Sequence, residues 1–170
     1  MKTNNRSISE LETGFSIEDA IRARKSARIE KKSFVLTNGC FDLFHAGHAY
    51  SLNKASEYGD LLWVGINSDK SVREIKGEHR PINSQKDRGY LLNSLEVVDG
   101  VFLFDKQNLA DEILLLEPDT YVKSTDYNYD SMNKEERNAL EKVGSKIFFV
   151  PLLEKHSTSL IISKIKDMNI

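Results

Sequence analysis

Two runs in this 170-residue chain, Leu61-Leu62-Trp63-Val64-Gly65-Ile66 and Ile147-Phe148-Phe149-Val150, are apolar at successive positions rather than at every second one. A strand with one face in water alternates; a strand covered on both faces does not. These runs therefore call for a sheet buried between two layers. Around them the pattern predicts strands near 34–38, 61–66, 100–104, 119–123 and 146–150. Helices are predicted over 46–58, from Ser68, and over 84–95, 108–116, 133–143 and 158–167. Strands that alternate with helices run parallel, and right-handed crossovers then give an α/β fold with a doubly wound five-stranded parallel sheet in three layers. Ligands bind such sheets at the carboxyl ends of the strands, where the strand order reverses.

The boundaries carry their own chemistry. Ser16 followed by Asp19 opens a charged helix to about Lys32, and Ser84 with Asp87 and Asn133 with Glu136 have the same capping spacing. Gly59 and Gly144 stand where helix ends favour a left-handed residue. Residues 1–15 are polar and lack periodicity. The chain thus divides into a polar segment and lead-in helix, 1–32, and a domain, 33–170.

Hydrophobic residues make up 39% and charged residues 29%, an ordinary globular balance. No run approaches the ~20 apolar residues of a membrane helix, and Met1-Lys2-Thr3-Asn4-Asn5-Arg6 lacks a secretory hydrophobic region. The single cysteine, Cys40, has no internal disulfide partner, which fits a reducing, cytoplasmic setting. A net charge of −2 supplies no footprint for nucleic acid. The expected partners are small molecules, with neither nucleic acid nor membrane; a homodimer is left open.

The densest chemistry follows the first strand: Thr37-Asn38-Gly39-Cys40-Phe41-Asp42-Leu43-Phe44-His45-Ala46-Gly47-His48. It reads as a strand, a tight turn and the first turn of a helix, whose unpaired N–H groups and dipole face an anion. Gly39 lets backbone approach a ligand, and Gly47 leaves His45 and His48 room to point at one group. A closed zinc site on Cys40, Asp42, His45 and His48 would usually draw ligands from two separated pairs. A cysteine nucleophile lacks an assignable residue to orient its base. Packing alone leaves two imidazoles flanking a glycine at a helix start unexplained. Phosphate binding is the preferred reading, with no protein-held metal. A second cluster, Pro151 to Ser159, opens the last helix at the same sheet edge; Ser157 or Thr158 would serve as its N-cap, and Ser157, Thr158 and Ser159 add donors for a triphosphate. Val122-Lys123-Ser124-Thr125-Asp126-Tyr127 leaves the fourth strand there too. Lys123 suits a phosphate, and Asp126 a ribose hydroxyl or metal-bound water. Lys76, Arg80 and Arg88 are candidates for an acceptor's phosphate. The segment 76–81 is the candidate mobile loop.

The turn resembles the H-x-G-H signature of the nucleotidyltransferase superfamily. Further matches at Val64-Gly65-Ile66-Asn67-Ser68-Asp69-Lys70-Ser71-Val72-Arg73, Lys76-Gly77, Arg80-Pro81-Ile82-Asn83, Asp87-Arg88, Val122-Lys123 and Ser157-Thr158 resemble D-glycero-β-D-manno-heptose 1-phosphate adenylyltransferases. Those occur alone or as the second domain of a bifunctional kinase/adenylyltransferase; nothing here resembles the kinase. The chain is more distantly similar to glycerol-3-phosphate cytidylyltransferases, which have threonine at the position of Cys40.

The resemblance implies a Rossmann-like fold and transfer of AMP from ATP to a sugar 1-phosphate, with Mg²⁺ accompanying the triphosphate. His45, His48 and Lys123 would be catalytic. Gly39, Cys40, Phe41, Asp42, Gly47, Ser124, Thr125, Asp126 and 157–159 would hold the nucleotide. Ser124 and Thr125 stand where heptose enzymes usually carry two glycines, and His156 where arginine or isoleucine is common, so base and sugar choice stay open. CTP with a polyol phosphate and a non-catalytic nucleotide-binding protein are the alternatives; an aminoacyl-tRNA synthetase fragment is disfavoured for want of a K-M-S-K-S loop.

Overall fold

The computed structural model describes residues 15–125, 128–151, 153 and 156–168. Its elements are α1 (Ile17–Ile29), β1 (Phe34–Gly39), α2 (Ala46–Ser56), β2 (Leu61–Asn67), α3 (Asp69–Lys76), α4 (Gln85–Asn93), β3 (Gly100–Phe104), α5 (Ala110–Leu116), β4 (Thr120–Ser124), α6 (Lys134–Val143), β5 (Lys146–Val150) and α7 (Thr158–Asp167). The strands fall where the apolar runs predict them and form one sheet of order β3-β2-β1-β4-β5. Every pairing is parallel. The winding reverses between β1 and β4, so the turn after β1 and the end of β4 face each other across the crevice.

Alternate side chains of β1 enter different layers. Phe34 and Leu36 join a core with Ala20 and Ala27 of α1, Ile113 and Leu116 of α5, and Ala139 and Leu140 of α6. Val35 joins Leu52 and Ala55 of α2 and Leu92 of α4 on the other side. The three-layer expectation holds.

Two local readings change. α1 packs as part of a layer of the domain instead of preceding it as a lead-in. Arg24, buried at its centre, reaches Asp119 Oδ2 at 2.7 Å, Glu117 O at 2.7 Å and Leu116 O at 3.1 Å. Asp119 Oδ2 also accepts from Phe34 N at 2.8 Å, so one carboxylate ties α1 to the start of β1. Gly144 takes the left-handed cap with φ 73°, whereas Gly59 is absent from the positive-φ residues. Gly59 is instead required by close packing: a Cβ there would lie 2.6 Å from Val35 Cγ2.

Candidate active site

β1 ends at the crevice and the chain turns sharply, with Phe41 at φ 49°, a left-handed conformation an aromatic residue adopts only under constraint. His45 is the N-cap of α2: its backbone is extended and its Nδ1 accepts from His48 N at 3.3 Å. Because Nδ1 is an acceptor, the proton of the neutral His45 ring resides on Nε2. The two imidazoles stack at 3.8 Å between centroids and 17° between planes. Gly47 makes this possible, since a Cβ there would lie 3.0 Å from the His45 ring and 3.2 Å from His156 Cβ.

Electrostatics favour neutral rings. His48 lies against Phe41 and Phe44, at 5.1 and 5.7 Å between centroids. Burial, then the neighbouring His45 and Lys76, lower its pKa to about 4. Burial and His156 push His45 the same way. His48 Nδ1 is buried without a hydrogen-bond partner among the described residues. Burial raises the Cys40 thiol pKa, and its Sγ lies 3.5 Å from Asn67 Oδ1, the reverse of what a thiolate nucleophile needs.

The crevice is a cavity of about 530 Å³. Its wall brings together Gly39, Cys40, Phe41, Asp42, His45, Gly47 and His48 from the first turn, Lys76 from the end of α3, Lys123 and Ser124 from β4, and Ser157, Thr158 and Ser159 from the start of α7. Ser157 Oγ also accepts from Leu160 N at 3.2 Å, so it caps α7 while facing the cavity. Two helix N-termini thus open on one space.

Three sequence-predicted positions lie elsewhere, and a fourth is not described. Thr125 is exposed, its N–H bonded to Val150 O at 2.8 Å, and it does not line the cavity. Asp126 lies outside the described residues. Arg80, expected at the acceptor phosphate, turns inward to Asp42 Oδ2 at 2.8 Å. Arg88 is 1% exposed and holds Cys40 O at 2.6 Å, Asn67 O at 2.8 Å, Asn83 O at 3.2 Å and Asp69 Oδ1 at 2.8 Å. Its donors are engaged beneath the turn, so it is a fastening for the loop and not an acceptor contact.

Asp42 lines the wall yet works as a clamp. Its Oδ1 accepts from Ile82 N at 2.7 Å and Asn83 N at 3.0 Å, while Asn83 Nδ2 donates to Asp42 O at 2.7 Å. The far end of the 76–81 loop is thereby tied to the histidine turn.

Residues that the sequence reading left out of the site also line it, among them Asn38, Asn67, Gln107, Asn133 and Glu136. Glu136 carried a legible signal: with Ala139, Leu140 and Val143 it occupies one helical stripe, and a charge on an apolar stripe is a buried charge. Among the described residues no group of three or more His, Cys, Asp or Glu is arranged to hold a metal. No helix there is long and apolar enough to cross a membrane.

A crevice at the switch point of a doubly wound sheet, walled by paired helix N-termini, imidazoles and a lysine, defines a nucleotide-binding α/β domain. The chain belongs to the cytidylyltransferase-like family, whose model matches residues 36–164. It is 44% identical over 172 residues to the bifunctional protein HldE of Campylobacter curvus (strain 525.92), covering 89% of this chain and 35% of that protein. It is 45% identical over 138 residues to the bifunctional protein HldE of Helicobacter pylori (strain P12), covering 81% and 29%. The chain spans about a third of the length of these relatives. Its fold is similar to the lipopolysaccharide core biosynthesis protein from Thermoplasma volcanium GSS1, with TM-score 0.60 and 24% identity over 74% of this chain and 99% of that one. It is also similar to pantoate-beta-alanine ligase from Francisella tularensis, with TM-score 0.53 and 14% identity over 92% and 77%.

Proposed function

We propose that the protein transfers AMP from ATP to D-glycero-β-D-manno-heptose 1-phosphate, giving ADP-heptose and pyrophosphate. The observation that carries this reading is the stacked His45 and His48 pair at the start of α2, sharing one cavity with Lys123. The similarity to proteins named bifunctional protein HldE and the heptose-type motifs support the acceptor.

The chemistry is in-line displacement. A phosphate oxygen of the sugar attacks the α-phosphorus of ATP, the bond to the β-phosphate's bridging oxygen breaks, and pyrophosphate leaves. That oxygen is already anionic, so no general base is required. The protein's task is positioning and charge stabilisation. His45 Nε2–H, the N–H of the His48 ring, the Lys123 ammonium and the N–H groups opening α2 and α7 supply the donors. His45 and His48 enter as neutral rings, and a bound triphosphate draws both toward the cation. Mg²⁺ accompanying the nucleotide would partly neutralise the charge on the phosphates.

A second reading, CTP with glycerol 3-phosphate, draws on Ser124, a hydroxyl-bearing residue of the cavity wall. Pyrophosphate release with ATP, CTP, GTP and UTP against heptose 1-phosphate and glycerol 3-phosphate tests both. ATP with the heptose is the expected best pair. ATP binding by calorimetry without turnover on any pair would leave a nucleotide-binding sensor or scaffold.

A further inference from the structure

Glu136 is 2% exposed and lies in the first turn of α6, where the helix dipole favours a carboxylate. Its spacing after Asn133 suggests a capping-box partner, yet its carboxylate turns inward to four groups. Oε1 accepts from Leu109 N at 3.0 Å and Asn38 Nδ2 at 3.4 Å. Oε2 lies 3.1 Å from Lys123 Nζ and 3.4 Å from the Tyr121 hydroxyl, whose single proton is directed at Asn38 Oδ1 at 2.8 Å. The Lys123 ammonium sits 5.7 Å from the centroid of the Tyr121 ring.

The arrangement immobilises a side chain that is otherwise hard to aim. Lysine carries its charge on a flexible four-carbon stem and loses rotamer freedom when fixed. A carboxylate held by the Leu109 N–H and the Asn38 side-chain amide, together with the Tyr121 ring, fixes that stem. The ammonium has three N–H donors, so one nitrogen accommodates both Glu136 and a phosphate oxygen. A buried ion pair contributes little net stability against apolar residues of similar size. Position 136 lies on the stripe of Ala139 and Leu140, where an apolar residue would pack, so stability alone does not account for the charge.

We infer that Glu136 is the positioning residue for Lys123, holding its ammonium at the wall of the nucleotide cavity so that the amine meets the phosphates already oriented. The inference rests on Lys123 being a phosphate contact, and assigns Glu136 no contact with substrate.

The test is a double-mutant cycle of the full chain with Glu136→Gln, Lys123→Gln and both, read by kcat, KM for ATP, calorimetric ATP affinity and melting temperature. Glu136→Gln is expected to lower kcat about tenfold, in line with the sensitivity of catalysis to misplaced groups. In the Lys123→Gln background the same change should alter kcat less than about twofold, because the group it positions is gone. Glu136→Asp keeps the charge but draws it back by one methylene, and should lower kcat while remaining folded. Equal effects of Glu136→Gln in both backgrounds, or wild-type kcat in Glu136→Asp, overturn the inference and leave a structural tie between α5 and α6. Should the wild type bind ATP without turnover, the transfer reading fails and the cycle is read from ATP affinity instead. Coupling there still supports positioning; additivity there overturns it.

Discussion

The imidazoles of His45 and His48 lie face to face, 3.8 Å apart, because one ring is the N-cap of the helix whose third residue is the other. Two imidazolium ions would repel at this distance, and the adjacent helix N-terminus disfavours positive charge. A neutral stack is therefore the resting form, and the cation gains only when phosphate charge enters the cavity. The histidine pair recognises an anion by donated hydrogen bonds first and by charge second.

His48→Ala should lower kcat about 10²- to 10³-fold, the usual loss of one aimed donor, and weaken ATP binding far less. The comparison is steady-state kcat against the calorimetric dissociation constant for ATP, on protein with a verified fold. Near-normal kcat, or a loss confined to ATP affinity, would remove His48 from the transition state.

The same ring makes a pH prediction. Its pKa is about 4 when folded, against an ordinary histidine near 6.5 in the unfolded chain. Above pH 6.5 both states carry a neutral ring and His48 contributes no pH dependence. As pH falls from about 6.5 toward 4 the unfolded chain takes up the proton and the folded one does not, so stability declines by up to about 1.4 kcal/mol per pH unit. Below 4 both states are protonated and the decline from this group ends. NMR titration of the His48 ring should give a midpoint well below 6 in the free protein, moving upward with ATP; a free midpoint near 6.5 contradicts the burial argument.

The sheet, its direction and the histidine turn were legible because each is local. Apolar runs announce two-sided burial, and Gly-flanked histidines announce a helix start at a strand end. The partners of Arg80, Arg88, Asp42 and Glu136 were not, because they depend on which loops and helices fold back across the sheet. Arg88 and Arg80 read as phosphate contacts since charged residues are rarely buried, yet Cys40, Asn67, Asn83 and Asp69 converge on one guanidinium. Glu136 read as a cap because its buried partners, Leu109 and Lys123, lie on other elements. Asp126 falls outside the described residues, so its expected place at the nucleotide edge stands as a proposal.

Arg88 offers a clean separation of fastening from substrate contact. Arg88→Ala strips the donor from three carbonyls and the partner from Asp69, and removing one side of such a buried arrangement costs about 3 to 5 kcal/mol. Arg88→Lys should recover only part of this, since an ammonium lacks the planar fork that reaches four oxygens. The expected signature in chemical denaturation is a large fall in midpoint for both variants. A raised acceptor KM at unchanged stability would instead return Arg88 to the acceptor site.

The last prediction concerns the two residues standing where the resembled family usually has glycines. Ser124 lines the cavity, whereas Thr125 is exposed and bonded through its backbone to Val150 O. A side chain in the wall narrows the space beside the nucleotide and adds a hydroxyl; a side chain pointing away does neither. Ser124→Gly should therefore shift the ranking of kcat/KM among ATP, CTP, GTP and UTP, by several-fold or more, as one pocket contact is worth ~1 to 3 kcal/mol. Thr125→Gly should leave the ranking as it is and lower stability slightly through backbone entropy. The measurement is the four-nucleotide panel on each single variant, with heptose 1-phosphate and glycerol 3-phosphate as acceptors. An unchanged ranking in Ser124→Gly moves nucleotide choice away from the end of β4, and a changed one in Thr125→Gly contradicts the outward orientation of that residue.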